Sequence, residues 1–176
     1  MLGTTNRSMA AMRTPIEFGH KVFLAESAQG LITQYEVLKG NPSDEIHVAP
    51  SLRHHRQAFG RVPELYGTDR GFFSEQNLAS CKRDGVKVVC IPQRGGKRSP
   101  EREAYEKSAD FKQGQRFRAG IEGRISVLFR GRGMKRCLAE GHDRFELWVA
   151  AAVLANNLMR IAALLTKQSS RRRKAA

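Results

Sequence analysis

The chain has 176 residues, 40% of them hydrophobic, which is enough to bury a core in one domain and argues against a wholly disordered polypeptide. Lys and Arg outnumber Asp and Glu by 31 to 17, and the resulting net charge of +14 points to a polyanionic partner, nucleic acid before an anionic membrane. The 3 cysteines, Cys81, Cys90 and Cys137, follow no disulfide or Cys-x-x-Cys zinc pattern and read as reduced thiols of a cytoplasmic protein.

Residues 1–15 lack hydrophobic period and any apolar signal core, and read as an unstructured lead-in. The runs His20–Glu26 and Leu31–Leu38 have strand character, and the turn residues Ser27–Gly30 between them predict a hairpin closed by Gly40, Asn41 and Pro42. Ser43 is a candidate cap for a helical segment that Pro50 opens or kinks and that ends at Gly60. Pro63–Tyr66 reads as a short buried strand ending at Gly67, Thr68 and Asp69. Ser74 caps a helix over Glu75–Arg83 that stops at Asp84 and Gly85. Val86–Ile91 is the clearest β-branched strand, ended by Pro92. Residues 93–110 begin as a charged loop and turn helical. A basic helix follows over Gln113–Phe129, although Gly114, Gly120 and Gly123 weaken it.

After a loop over Gly131–Gly141, Asp143 is placed to cap a long helix. Its apolar positions Phe145, Trp148, Ala152, Leu154, Leu158, Ile161 and Leu165 recur at helical spacing, which predicts a core face. The run Phe145–Leu165 is long enough to span a bilayer, but Glu146, Asn156, Asn157 and Arg160 interrupt it, so it reads as a core helix and not a membrane span. Residues 167–176 form a basic, solvated tail. Strands alternating with helices after a hairpin predict an α/β fold with a mixed sheet and flanking helices over residues 16–166.

Two acids stand out. Asp69 ends a buried strand, where catalytic groups project in α/β sheets, but a turn residue has the same pattern. Glu122 lies one helical turn from Arg118, which on pattern alone fits a surface ion pair better than a site. Basic residues gather in the third quarter of the chain: Arg94, Lys97, Arg98, Lys112, Arg116, Arg118, Arg124, Arg130, Arg132, Lys135 and Arg136. These are expected to meet phosphates, positioning DNA without reading its sequence, with a solvated basic face as the alternative. His54 and His55 face two directions on a helix and read as surface residues. Gly95-Gly96-Lys97 lacks the spacing of a nucleotide-binding loop.

The stretches FGHKVFLAE, GLITQYEVLKGNPSDE, YGTDRGFFSEQN and GQRFRAGIEGRISVLFRGRGMKRC, followed by the long helix with LANNL, together resemble the C-terminal part of insertion-sequence transposases of the DDE class. The resemblance is closest to the ISNCY type and runs from about Ile16 to Leu165. The Arg118-x-x-x-Glu122 step is similar to a tyrosine–arginine–glutamate–lysine signature, with Gln115 at the tyrosine position and Phe129, beside Arg130, at the lysine position.

This resemblance implies a ribonuclease-H-like fold. It also implies three carboxylates holding two divalent ions, Mg2+ or alternatively Mn2+, with Asp69 as the second acid and Glu122 as the third. DNA, both transposon ends and target, is then the partner, met at the nucleoid, with a homo-oligomer compatible. The family's first acid lies on a strand upstream of the hairpin, and MLGTTNRSMAAMRTP contains no Asp or Glu. Glu17, Glu26 and Asp44 do not stand in its place. The expectation is a truncated remnant with little strand-transfer activity alone. A non-catalytic DNA-binding or assembly module and a small nuclease of the same fold remain the alternatives.

Overall fold

The computed structural model describes residues 21–134 and 140–175. The predicted lead-in, His20, Lys135, Arg136 and Cys137 lie outside the described residues. The chain divides into two compact units, one of residues 1–41 and 125–176, the other of residues 42–124.

In the first unit, β1 (Lys21–Glu26) and β2 (Ile32–Leu38) form the predicted antiparallel hairpin, with Val22 opposite Val37 and Leu24 opposite Tyr35. Its turn is closed by the Gly30 N–H donating to the Ser27 carbonyl at 2.9 Å, and Gly30 has φ 79°, a left-handed conformation open to a residue without Cβ. One face of the hairpin buries Val22, Leu24, Ile32 and Val37 against Leu128, Val149, Ala152 and Val153. Each such aliphatic side chain contributes about 1.5–3 kcal/mol when fully withdrawn from water.

The helical partner is α5 (His142–Ala175), which runs through the predicted basic tail and leaves Arg171–Lys174 exposed. It begins at His142, so Asp143 sits in its first turn beside the positive end of the helix dipole and not at the cap. Asn157 clamps the start of β2. Its Oδ1 accepts from the Ile32 N–H at 2.9 Å and its Nδ2 donates to the Ile32 carbonyl at 2.8 Å. Arg160 Nε donates to the Gln29 carbonyl at 2.6 Å. Two of the polar residues that interrupt the apolar run, Asn157 and Arg160, thus bond hairpin backbone, Asn157 at the start of β2 and Arg160 at the turn.

The core-face expectation for α5 needs correction. Val149, Ala152, Val153 and Asn156 are buried, and Phe145 and Trp148 pack partly buried on the same cluster. Leu154, Leu158, Ile161 and Leu165 are exposed. Spacings of three and four residues generate two stripes on one helix, and only the stripe through 149, 152, 153 and 156 meets the hairpin.

In the second unit, a 3-10 turn (Asp44–His47) leads into α1 (Val48–Phe59), which ends at Gly60 with φ 70° and its N–H on the Arg56 carbonyl. Ser43 caps that turn in position but makes no side-chain cap bond. β3 (Leu65–Gly67) and β4 (Val88–Cys90) pair in parallel, joined by α2 (Glu75–Arg83). The Ser74 hydroxyl accepts from the Asn77 N–H at 3.1 Å, the predicted cap. α3 (Pro100–Lys107) and α4 (Ala109–Gly131) follow, and residues 109–124 of α4 belong to this unit. Gly120 and Gly123 lie within α4 and do not break it.

The α/β class holds, with both antiparallel and parallel pairing present. Among the described residues the strands form two separate two-stranded sheets where one mixed sheet was expected.

Asn157→Ala removes both bonds to Ile32 and leaves a partly buried strand N–H and carbonyl without partners. The variant is expected to lose about 1–3 kcal/mol of stability, read as a lower urea midpoint at unchanged slope.

Candidate functional site

Asp69 lies two residues beyond β3, in extended backbone with φ −72° and ψ 163°, and opens the 3-10 turn Arg70–Phe72. The neighbouring Thr68 N–H donates to the Cys90 carbonyl at 3.2 Å, so the β3–β4 pairing continues up to the acid. Gly71 packs so close to the Asp44 carboxylate that an added Cβ would stand 2.6 Å from its Oδ2. Asn77 Nδ2 donates to the Glu45 and Phe72 carbonyls at 2.8 and 2.9 Å. The turn carrying Asp69 is therefore held from both sides.

The other half of the site comes from α4. Gly114 rests against β4: a Cβ there would meet Cys90 Sγ at 2.1 Å and Cys90 Cβ at 2.7 Å. A Cβ on Gly67, at the end of β3, would meet the Gly114 carbonyl oxygen at 3.2 Å. Glycine at both positions lets helix backbone approach strand backbone. Gln115 then fastens the contact, its Nε2 donating to the Cys90 carbonyl at 2.8 Å and, more weakly, to the Thr68 carbonyl at 3.4 Å. Burial first, and then the nearby Asp110, push the Cys90 thiol up to about 11. It therefore stays protonated and packs as an apolar group.

One turn further along α4, Arg118 donates from one terminal nitrogen to Asp69 and from the other to Glu122. Its side chain is 23% exposed, against 46% for Asp69 and 68% for Glu122. The structure brings the two acids singled out in the sequence onto one guanidinium. The expected Arg118–Glu122 surface pair is real but is half of a three-membered group. Such a group costs little desolvation at this exposure and adds little to stability. Its consequence is geometric: two carboxylates from a strand end and a helix are gathered around a single positive charge. Among the described residues, no set of three or more His, Cys, Asp or Glu side chains converges as a metal ligand group.

The basic residues divide. Arg98 is bound to Glu106, Nε to Oε2 at 2.9 Å, and Arg118 to the two acids, so neither is a free surface cation. Arg94, Lys97, Lys112 and Arg116 are exposed in the second unit, with Arg124 half-buried there. Arg130 and Arg132 lie in the first unit, Arg130 exposed and Arg132 half-buried with Nη1 donating to the Gly131 carbonyl at 2.9 Å. His54 is exposed, and His55 Nδ1 lies 2.8 Å from the Arg61 carbonyl with its ring against Phe59. Both occupy the surface, as their adjacency suggested.

Sequence reasoning missed a second polar hub. Glu106 accepts from the Gln93 N–H at 2.8 Å and from Arg102 Nε at 2.9 Å, while Arg102 also donates to the Ile91 carbonyl. The Arg102 guanidinium lies 5.7 Å from the ring centres of Phe73 and Phe111 and 5.8 Å from that of Tyr105. Burial alone would raise the Glu106 carboxyl, but the Gln93 N–H, Arg102 and Arg98 outweigh it and hold it below the usual carboxylate range. The hub ties the charged loop and α3 to the end of β4. Its one legible signal was the four-residue step from Arg102 to Glu106.

Residues 76–162 match the family described as Transposase DDE domain. The matched stretch includes Gln115, Arg118 and Glu122 and begins shortly after Asp69. Over that stretch the chain is similar to DDE transposases, a family that generally uses divalent metal ions and whose substrates are DNA. No curated protein and no solved structure matches the chain.

Gly114→Ala forces a methyl group into Cys90, whereas Gly120 and Gly123 have nothing within 4 Å of an added Cβ. Gly114→Ala is expected to cost about 1–3 kcal/mol through overpacking. Gly120→Ala and Gly123→Ala should each gain up to about 1 kcal/mol from helix propensity. Urea melts of the three variants check this opposition of sign.

Proposed function

We propose that the chain carries the second and third acids, Asp69 and Glu122, of a metal-dependent DNA transposase catalytic domain. In this reading it is the C-terminal part of a ribonuclease-H-like domain of the ISNCY type. The observation that supports it most directly is the convergence of Asp69 and Glu122, remote in sequence, on Arg118. A structural ion pair would need only Arg118 and Glu122 on their own helix. The third member arrives because Gly114 and Gln115 dock that helix on the strand ends.

The donor set fits a hard divalent cation. Both ligands are carboxylates, both are accessible, and together they already surround a positive charge. Asp69 and Glu122 would hold Mg2+, or Mn2+ in its place. A bound pair of such ions supplies activation of an attacking oxygen and stabilisation of the leaving oxygen at a phosphodiester. The chain's own residues fix the two carboxylates on rigid elements, Asp69 through the β3–β4 pairing and Glu122 through the Gln115 anchor. Arg118 offsets half the charge of the pair and lessens the repulsion between the carboxylates while no metal is bound. Water, and then a DNA 3′-hydroxyl, are the nucleophiles, so no residue of the chain needs to form a covalent bond to DNA.

Metal binding separates this reading from a purely structural ion triad. In Mn2+ titration calorimetry, Asp69→Asn and Glu122→Gln should each abolish the weak binding isotherm. Arg118→Ala, which removes the competing cation, should tighten it by on the order of tenfold. Mn2+ binding that ignores both acid substitutions would refute the assignment. Robust Mg2+-dependent cleavage by the purified chain, lost in Asp69→Ala, would show instead that the two acids suffice and favour a small nuclease.

Arg94, Lys97, Lys112, Arg116, Arg124, Arg130 and Arg132, with Lys135 and Arg136, are proposed to meet the DNA backbone. Arg98 and Arg118 would first have to leave their carboxylate partners. Phosphate contacts release condensed counterions, so log affinity for duplex DNA should fall linearly with log salt. Replacing Lys112 and Arg116 together by Ala should flatten that slope by about 2. A salt-independent affinity measured by fluorescence anisotropy would exclude the phosphate reading.

A further inference from the structure

We propose that the exposed face of α5 is the interface of an antiparallel homodimer, in which the α5 helices of two copies of the chain form a short coiled coil. The exposed residues Leu147, Ala151, Leu154, Leu158, Ile161 and Leu165 follow one another at steps of four, three, four, three and four. That is an unbroken seven-residue repeat over about 27 Å of helix. A helix that only covers a hairpin needs one apolar stripe, and α5 already has it in Val149, Ala152 and Val153, with Phe145 and Trp148 beside them. The second stripe repeats at 3.5 residues, the period of a seam that winds around another helix.

Sequence symmetry and charge select both the occupant and its direction. Centred on residue 156, an antiparallel pair sets Leu147 against Leu165 of the second copy, Ala151 against Ile161, and Leu154 against Leu158. Every seam residue then meets a seam residue, and the small Ala151 is matched with a branched side chain. The first turns of α5 carry Asp143 and Glu146 on either side of Arg144, with Glu140 just before them, a net acidic end, and its last turns carry Lys167 and Arg171–Lys174. Antiparallel pairing lays the basic end of each helix along the acidic end of the other. Parallel pairing would stack five cations on five, a like-charge contact that opposes association.

The helix is also long and apolar enough to cross a bilayer. Asn157 and Arg160, however, are bonded to Ile32 and Gln29 of the hairpin. Inserting α5 would carry those polar groups and the attached strand edge into hydrocarbon. A second copy asks for no such rearrangement. The proposal stands on α5 alone and is independent of the acid pair.

Sedimentation of the full chain over a concentration series tests it. Wild type should reach a dimer. Leu154→Glu and Leu158→Lys each place a charge in the seam without touching the hairpin face, and each should raise the dimer dissociation constant at least about a hundredfold. An equimolar mixture of the two variants should dimerise again, because only antiparallel pairing sets position 154 of one copy against position 158 of the other. Wild type that stays monomeric throughout overturns the proposal, as does wild type that instead floats with phosphatidylcholine vesicles. Dimerisation of wild type without recovery in the mixture overturns the antiparallel arrangement.

Discussion

The site depends on the approach of α4 to the ends of β3 and β4 at Gly67, Gly114 and Cys90. No side chain larger than hydrogen fits at Gly114, and the gap left by the missing Cβ brings helix backbone to within contact of strand backbone. Gln115 can then donate to the Cys90 carbonyl, which also accepts from the Thr68 N–H, and to the Thr68 carbonyl at the strand end. Once residue 115 is fixed, helix geometry leaves little freedom for residues 118 and 122, which follow at roughly one and two turns. Asp69 is fixed independently by the continuation of strand pairing through Thr68. The convergence of acids from two elements thus comes from a backbone contact, and the ion pairs follow from it.

Arg118 gives that convergence its chemical character. Two exposed carboxylates held near one another repel, and a flexible pair would drift apart into solvent. A guanidinium can donate to two acceptors from a single rigid fork. It preserves the spacing of the carboxylates at small energetic cost, since all three groups keep contact with water. The same cation necessarily competes with any other that approaches the two acids.

The sequence made the local elements legible. Ser74 as cap, Gly60 and Gly85 as stops, and the hairpin turn at Ser27–Gly30 all act through side chains or missing side chains within a few residues, where pattern is informative. Asp69 and Glu122 were singled out through different warrants, strand-end position for one and family resemblance for the other, and the structure sets both on Arg118. The docking of Gly114 was not. A glycine in a helical stretch reads as a weakness until the residue facing it, Cys90, is known, and that pairing is non-local. The Arg102–Glu106 hub stayed hidden for the same reason, because its worth lies in the Gln93 amide, the Ile91 carbonyl and three aromatic rings that only the fold assembles.

The long helix shows the limit of periodicity most clearly. Apolar residues at three- and four-residue steps were read as one core face, yet the list mixed two stripes offset around the helix. Phe145, Trp148 and Ala152 belong to the stripe on the hairpin, and Leu154, Leu158, Ile161 and Leu165 to the exposed one. The separating feature was present in the polar residues. Asn156 and Asn157 mark the hairpin face, because a buried amide is tolerated only where a polar partner awaits it: Ile32 backbone for Asn157, and the Asn157 side chain for Asn156. The exposed stripe has no amide between Leu147 and Leu165. A face that requires no backbone partner and repeats every seven residues is suited to another helix, which presents side chains alone. Buried polar residues on an amphipathic helix therefore identify which face meets a strand edge, and the apolar face without them is the one to examine for a helical partner.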